Sequence, residues 1–303
     1  MNQFGQLKYL IKRNTKLYFK DKLTFFLSLI TPLILVVLFL TFLCSVYEQT
    51  LISAIPQGFT ISQNVVNAFT GSWLFSSIIA VSCVTVAFCS NMMVTDKITK
   101  NVLDFNVTPT KRSTISVSYA ISNFITTCIV CFIVLLVSLI YLAIVGWYMT
   151  LVDILMICLN IVLSVLMGTL IASFVSLFIS SQGGLSAVST LVSSMYGFVC
   201  GAYMPISSFG EGMQNFVCFI PGTYSTILFR KYYMNGVLNE MSKTLPQQVI
   251  DGIKGGFDYN FSFFGNDVAT WVMFLIVVLV VALFFTLFVV FSNMQNKKLY
   301  SKK

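Results

Sequence analysis

Charged side chains are scarce in this sequence. Asp, Glu, Lys and Arg make up only 9% of its 303 residues, and 57% of the residues are hydrophobic. A soluble domain has about 25% charged residues, so the composition excludes a soluble globular protein. It predicts an all-α polytopic membrane protein, because long apolar runs cross a bilayer as helices.

Histidine is absent altogether. The chain therefore lacks the commonest proton shuttle and the commonest metal ligand, and we expect neither metal-dependent catalysis nor a metal site. Seven of the eight cysteines lie in or at the edges of apolar runs, where small residues pack helices together. Cys200 and Cys218 flank one predicted outer surface, and the sequence leaves a disulfide between them open.

Ionisable residues are missing from the apolar runs, and a phosphate-binding loop is missing from the whole chain. Ion-coupled carriers usually keep ionisable groups at membrane depth, so a secondary transporter is disfavoured, although sodium held by backbone carbonyls would need none. Without a G-x-x-x-x-G-K-[ST] loop the chain cannot hydrolyse ATP. We expect a non-enzymatic protein that binds no cofactor itself and takes the energy for uphill transport from a partner.

Six apolar runs are long enough to cross about 30 Å of hydrocarbon. They cover residues 24–47, 71–95, 114–146, 154–179, 185–204 and 268–293. An even number of spans puts both termini on one side, where 14 of the 18 Lys and Arg residues fall, some of them in the tail at 294–303. The positive-inside rule makes this side cytoplasmic. Residues 205–267 are then outside, and their five acidic side chains are interpreted as part of a solvated loop.

Two segments on the predicted cytoplasmic side have a pattern of their own. Residues 4–22 place apolar and basic positions on opposite helical faces, which favours a helix lying in the membrane interface over a simple basic flank. Residues 96–112 are polar but carry apolar side chains at intervals. A short helix of that kind suits docking to a partner, with packing on its own bundle as the alternative.

Small residues recur at helical spacing in the predicted fourth and fifth spans. Gly168 and Ala172 share one such stripe, and Gly197 lies on another. The stripes predict close helix packing within the bundle, with a subunit interface or a substrate path as alternatives. Asp153, in the first turn of the predicted fourth span, is expected to act as a helix cap.

The loop after the second span resembles the corresponding loop of ABC-2 type exporter permeases, which are related to the eukaryotic G-subfamily half-transporters. Those permeases typically have E-R-E-x-G-T-L, an apolar pair and then T-P-x-[SK]-R. Thr108-Pro109-Thr110-Lys111-Arg112 matches the end of this pattern, whereas Lys100-Asn101 replace Gly-Thr. The resemblance implies a coupling helix that contacts an ATP-binding subunit. Its candidate residues are Asp96, Lys97, Val102, Phe105, Thr108, Pro109, Lys111 and Arg112.

The region before the last span resembles the same family. Its members have G-x-x-x-P, then N-P-x-T-Y and a basic residue, and in them this re-entrant region dips into the membrane from outside and caps the translocation path. This chain has Gly201 to Pro205, then Ile220-Pro221-Gly222-Thr223-Tyr224, then Arg230-Lys231. The resemblance implies an outer gate, with the candidate residues Gly201, Pro205, Pro221, Thr223 and Tyr224.

The resemblance covers essentially the whole chain and implies an assembly. Two permease chains, identical or paired with a sister chain, would form the channel within the membrane lipids. Two ATP-binding subunits, which hold ATP and magnesium, would dock beneath them, and no nucleic acid is involved. In the family, spans two and five line the path, which makes Phe75, Ile79, Ser194, Met195 and Phe198 the candidate substrate contacts.

The expected function is export of a hydrophobic or amphipathic compound, such as a drug, a peptide antibiotic or a lipid, across the cell membrane. The spans offer aromatic and Met side chains and no charge that would pair with an ionic solute. Export of a polysaccharide or glycolipid by the same family is one alternative, and ion-coupled transport is another. Polysaccharide exporters tend to have a shorter segment before span six than the roughly sixty residues of 205–267 found here.

Overall fold

Helices make up most of the computed structural model, which describes residues 3–56, 58–101 and 110–300. The elements in chain order are α1 (Gln3–Lys20), α2 (Lys22–Leu38), a π-helical turn (Phe39–Leu43), α3 (Cys44–Ser53), α4 (Gln63–Cys89), α5 (Met92–Ile98), α6 (Arg112–Val145), α7 (Leu151–Ser176), α8 (Gln182–Val199), a 3-10 turn (Ile206–Ser208), α9 (Glu211–Val217), α10 (Pro221–Met241), α11 (Gln247–Gly256), β1 (Ser262–Phe263), β2 (Asn266–Asp267) and α12 (Thr270–Tyr300). The prediction of an all-α polytopic membrane protein is confirmed.

Five helical stretches within the described residues are long and apolar enough to cross a membrane. They are Ser28–Ser53, Gln63–Ile98, Arg112–Val145, Leu151–Ser176 and Thr270–Met294. They coincide with the first four predicted spans and the last one. The sequence had predicted that Asp96 and Lys97 begin a loop after the second span. In the structure the second stretch continues to Ile98, so both residues belong to the end of a helix.

The predicted fifth span at 185–204 is occupied by α8, which is not among those five stretches. It has 18 residues, or about 27 Å at 1.5 Å per residue, and it carries Gln, Ser and Thr side chains through much of its length. It ends at Cys200, because Gly201 adopts a φ of 71° and turns the chain away. Six apolar runs in the sequence thus correspond to five strongly apolar helices and one shorter, more polar helix.

The central helix of the bundle is α4, whose side chains are buried almost from end to end. It packs against α2, α6, α7, α8 and α10. It approaches α7 closely at Gly168, where an added Cβ would lie 2.6 Å from the carbonyl oxygen of Cys83. Because α4 is covered on all sides, any movement of it must be accommodated by several neighbouring helices.

The amphipathic N-terminal helix, predicted at 4–22, is α1. It packs along α6, burying Asn14 and Tyr18 while Phe4 and Tyr9 stay exposed. At the N-terminus of α7, Thr150 and Asp153 form a reciprocal capping box, which agrees with the cap expected for Asp153.

The long segment before the last span is folded rather than open. It contains α9, α10, α11 and a two-stranded hairpin in which Ser262 pairs with Asp267. The 21-residue α10 packs against α4, α7 and α12. Cys200, just before this segment, and Cys218, within it, are free thiols.

Candidate functional site

The central helix is interrupted between α4 and α5, at Ser90 and Asn91. Asn123 of α6 donates to the carbonyl of Ala87 over 2.9 Å and accepts from the hydroxyl of Ser90 over 2.6 Å. On the other side, the amide of Asn91 donates to the hydroxyl of Ser176 in α7. Side chains from α6 and α7 thus form hydrogen bonds with backbone and side-chain groups at the break. These bonds fix the direction in which α5 leaves α4.

Asp96 of α5 lies in a buried polar network. Its carboxylate, only 3% exposed, accepts from Arg13 Nη1 over 2.8 Å and from the hydroxyl of Tyr119 over 2.5 Å. The amide of Asn101 donates to its other oxygen over 3.2 Å. Burial lowers the pKa of Arg13, but the hydrogen bond and charge of Asp96 outweigh this, and the net pKa of Arg13 is raised. Asp96 therefore ties the N-terminal helix α1 and α6 to the end of the central helix.

Lys97, the next residue, holds α5 from the opposite side. Its ammonium donates to the carbonyl of Ser176 over 2.7 Å and lies 3.4 Å from the carbonyl of Leu177. These carbonyls stand at the C-terminal end of α7, where a helix favours a positive charge. Two adjacent residues of opposite charge thus connect α5 to three helices, namely α1, α6 and α7.

The predicted coupling residues divide into three groups. Val102, Phe105, Thr108 and Pro109 lie outside the described residues. Lys111 immediately precedes α6 and is exposed, and Arg112 is its half-buried first residue. Asp96 and Lys97 bind helices of their own chain, so in this structure they position α5 rather than present charge to a partner.

The two halves of the predicted outer gate lie close together. Gly201 ends α8, and Pro205 leads into the 3-10 turn. Pro221 begins α10, where its missing N–H is tolerated, while Thr223 and Tyr224 donate to carbonyls at the end of α9 over 2.9 and 2.7 Å. The sequence motif therefore marks two tight turns, one at each side of α9.

Arg230 of α10 contacts the first of these turns, and its ion-pair partner was not predicted. Arg230 is fully buried and pairs with Asp258 over 2.7 Å between Nη1 and Oδ2. Its Nη2 donates to the carbonyl of Gly201 over 2.5 Å, and its guanidinium lies 4.6 Å from the ring centre of Trp73 in α4. Burial lowers the pKa of Arg230 and raises the pKa of Asp258, because both charges are removed from water.

The interpretation of the outer acids as solvated loop residues is wrong for Asp258. Its side chain is 7% exposed and accepts from the backbone N–H of Ile206 over 2.6 Å as well as from Arg230. The only signal in the sequence was the basic residue that follows the outer motif. Nothing in the local pattern pointed to a partner 28 positions further along the chain.

The candidate substrate contacts do not form one surface in this structure. Phe75 and Ile79 are buried inside the bundle, because α4 is covered on every side. Ser194, Met195 and Phe198 lie on an exposed face of α8. Of the small residues, Ala172 is buried in α7, and Gly197 lies against the ring of Tyr203.

A cavity of about 330 Å³ opens between the α4–α5 break and the first turns of α8. Its lining includes Asp21, Ser90, Asn91, Thr95, Gln182 and Ser186. Hydroxyl and amide groups are therefore available there for hydrogen bonds to a bound molecule.

An all-α membrane bundle with a broken central helix, a folded segment before its last span and no nucleotide-binding loop has the features of a transporter membrane domain. The family model of the ABC-2 type transporters matches residues 5–234, which is most of the chain. The chain belongs to the ABC-2 type transporter family, as the resemblance predicted, and is a permease component. No curated protein matches it.

Proposed function

We propose that this chain is the permease subunit of an ATP-driven exporter, powered by a separate ATP-binding subunit. The observation that carries the proposal is the anchoring of α5, where Asp96 and Lys97 join α1, α6 and α7 just before the loop that matches the family's coupling motif. A force applied to that loop would reach three helices at once and also the central helix from which α5 continues.

Two such subunits, carrying ATP and magnesium, would dock at the loop 96–112 beneath a pair of permease chains, which are identical or related. The clustering of basic residues supports a cytoplasmic location for both termini and for this loop. ATP binding would draw the two subunits together, and the anchored helices would transmit the movement.

The cargo we favour is a hydrophobic or amphipathic compound. The exposed face of α8 presents Leu191, Met195 and Phe198, and the nearby cavity adds hydroxyl and amide groups. The same polar lining favours a hydroxyl-rich cargo as the second candidate, which is export of a polysaccharide or glycolipid.

The first experiment is gentle solubilisation of the tagged chain from its native membrane, followed by determination of what co-purifies. We expect two ATP-binding subunits for every two permease chains, and a second permease species would establish a heterodimer. A chain that purifies without any ATPase under several mild detergents would contradict the proposal.

Transport assays separate ATP-driven export from ion-coupled transport. With ATP held constant, collapse of the proton and sodium gradients should leave export unchanged. Export that stops under these conditions would favour the ion-coupled alternative.

The loop is tested by Phe105→Ala and Arg112→Glu, which are expected to uncouple ATP hydrolysis from transport because they alter the apolar and basic character of the predicted docking surface. The measurement is substrate-stimulated ATPase activity of the purified complex. Unchanged stimulation in both variants would count against docking at this loop.

A further inference from the structure

An ion pair binds both ends of the turn that follows α8, in addition to the turn's other hydrogen bonds, such as that from Tyr47 to the carbonyl of Tyr203. We define the outer turn as residues 200–207, from Cys200 to Ser207. Arg230 Nη2 donates to the carbonyl of Gly201 at one end of the turn. Asp258 accepts from the N–H groups of Ile206 and Ser207, over 2.6 and 3.3 Å, at the other end. Because Arg230 and Asp258 also bind each other, both ends of the outer turn depend on the same pair.

The pair is largely shielded from water, and Asp258 lies at the edge of a cavity of about 290 Å³. The Arg230 side chain is 0% exposed and that of Asp258 is 7% exposed. Within the described part of the chain, the Nε of Arg230 has no hydrogen-bond partner. A buried ion pair of this kind is often no more stabilising than apolar residues of similar volume, because desolvation offsets the attraction. Its stability contribution alone therefore gives little reason for an arginine at this position.

The pair is also in contact with the central helix. The guanidinium of Arg230 lies over the ring of Trp73, and Trp73 Nε1 donates over 3.2 Å to the carbonyl of Phe257, the residue before Asp258. Trp73 lies in α4, and α4 continues through the break into α5. Trp73 lies about 24 Å from the break at the end of α4, at 1.5 Å per residue. A shift or rotation of α4 would therefore change the contacts of both charged residues.

We propose that Arg230 and Asp258 are positioning residues of the outer gate. They hold the outer turn against α10 and α4 in the packed state, and displacement of Trp73 with α4 releases the turn. This inference rests on the proposed transport function for the source of the movement. The bond between the ion pair and the outer turn can nevertheless be tested without any ATPase.

The experiment uses Cys200, a free and fully buried thiol at the start of the outer turn. Its rate of modification by a membrane-impermeant maleimide is measured on intact cells and on inside-out vesicles, and the rate in the matching Cys200→Ala variant is subtracted. Asp258→Asn removes one charge and weakens the acceptor. We expect the Cys200 rate to rise about tenfold or more from one side of the membrane only.

Arg230→Lys retains the charge but not the planar fork that reaches Asp258 and Gly201 together. It should give a smaller rise than Asp258→Asn. Glu240→Gln is the matched control, since Glu240 lies on the same helix in an exposed ion pair with Lys243. That variant should leave the Cys200 rate unchanged, and an equal rise there would overturn the proposal.

A double variant, Arg230→Met with Asp258→Leu, separates positioning from folding. It removes both buried charges, so we expect it to elute as a monodisperse species and to unfold near the temperature of the unmodified chain. The outer turn has nevertheless lost the two charged side chains that bind its ends, and Cys200 should be reactive. Protected Cys200 in a folded double variant would show that packing alone holds the turn, and the proposal would fail.

ATP dependence distinguishes this proposal from the proposed function. In proteoliposomes with the co-purified ATP-binding subunits, ATP should raise the Cys200 rate of the unmodified chain but not that of Asp258→Asn, which is already released. One outcome is a high Cys200 rate in Asp258→Asn and a Cys200 rate in the unmodified chain that does not change with ATP. That outcome would support the positioning role and contradict the proposed transport cycle.

Discussion

Two ion pairs mark opposite ends of the central helix, and they differ in their access to water. Arg13 and Asp96 meet beside α5, where the Arg13 side chain is 31% exposed and that of Asp96 is 3% exposed. Arg230 and Asp258 meet near Trp73, with exposures of 0% and 7%. Both arginines bind an aspartate over 2.7 to 2.8 Å, so their geometry alone does not distinguish the pairs.

The difference in solvation predicts different behaviour. If Asp96 is neutralised, Arg13 can turn toward water, and the remaining partners of Asp96 are neutral Tyr and Asn side chains. If Asp258 is neutralised, Arg230, whose side chain is fully buried, has no such route. Breaking the pair near α5 should therefore cost less than breaking the pair near Trp73, which holds the outer turn until α4 moves.

The largest expected effect is that of Arg230→Ala. It leaves Asp258 buried without a counter-ion and opens a cavity over Trp73, so the free energy of unfolding should fall by about 3–5 kcal/mol. The measurement is SDS-induced unfolding in detergent micelles. Adding Asp258→Leu should restore part of the loss, because the unpaired charge is gone. A single variant as stable as the unmodified chain would mean that water reaches this site.

Asp96→Asn should cost less, about 1.5–3 kcal/mol, since it weakens hydrogen bonds to a charged group whose partner is partly solvated. In the assembled complex it should also reduce transport per ATP hydrolysed, because α1 and α6 are no longer held to α5. Tyr119→Phe is the control, as it removes a single hydrogen bond to Asp96 and keeps the ring. A loss of stability equal to that of Arg230→Ala would remove the contrast between the two pairs.

Much of the fold could be predicted because the lipid environment imposes a simple pattern. Apolar runs gave the first four spans and the last one, and the amphipathic pattern gave α1. The pattern was weaker for α8, whose Ser, Thr and Gln side chains dilute its hydropathy. It failed to identify α10, a packed helix in which polar and apolar residues show no one-sided distribution.

Only some residues of the candidate site could be identified from the sequence. Motifs singled out Gly201, whose φ of 71° favours glycine, Pro221, which begins α10, and Tyr224, whose hydroxyl donates to the carbonyl of Cys218. Asp258 could not be found in this way, because it has a φ of 51° in an irregular segment and pairs with a residue far away in sequence. Asp96 was assigned to the coupling loop because the predicted second span ended before the helix does, and its ion pair with Arg13 was not predicted.

A smaller effect is expected from Lys97→Met. The variant keeps the length of the side chain but removes the charge that caps the carbonyl end of α7, which should cost about 1–2 kcal/mol. The loss should be similar whether or not Asp96 is intact, because the two residues bind different helices. A double-mutant cycle with Asp96→Asn measures this, and strong coupling between the two would show that α5 responds as one unit.

The smallest effect is expected from Glu240→Gln, on the same helix as Arg230. Glu240 and Lys243 lie one turn apart, with side chains 38% and 68% exposed, so water and salt screen their attraction. We expect a change of about 0.2–1 kcal/mol in the free energy of unfolding, and a smaller one at high salt. The comparison with Arg230→Ala keeps the helix and the type of interaction constant and varies burial. If the two variants lost similar stability, the contrast between buried and solvated ion pairs would not explain how the outer turn is held, and the apolar contacts of α10 would have to do so.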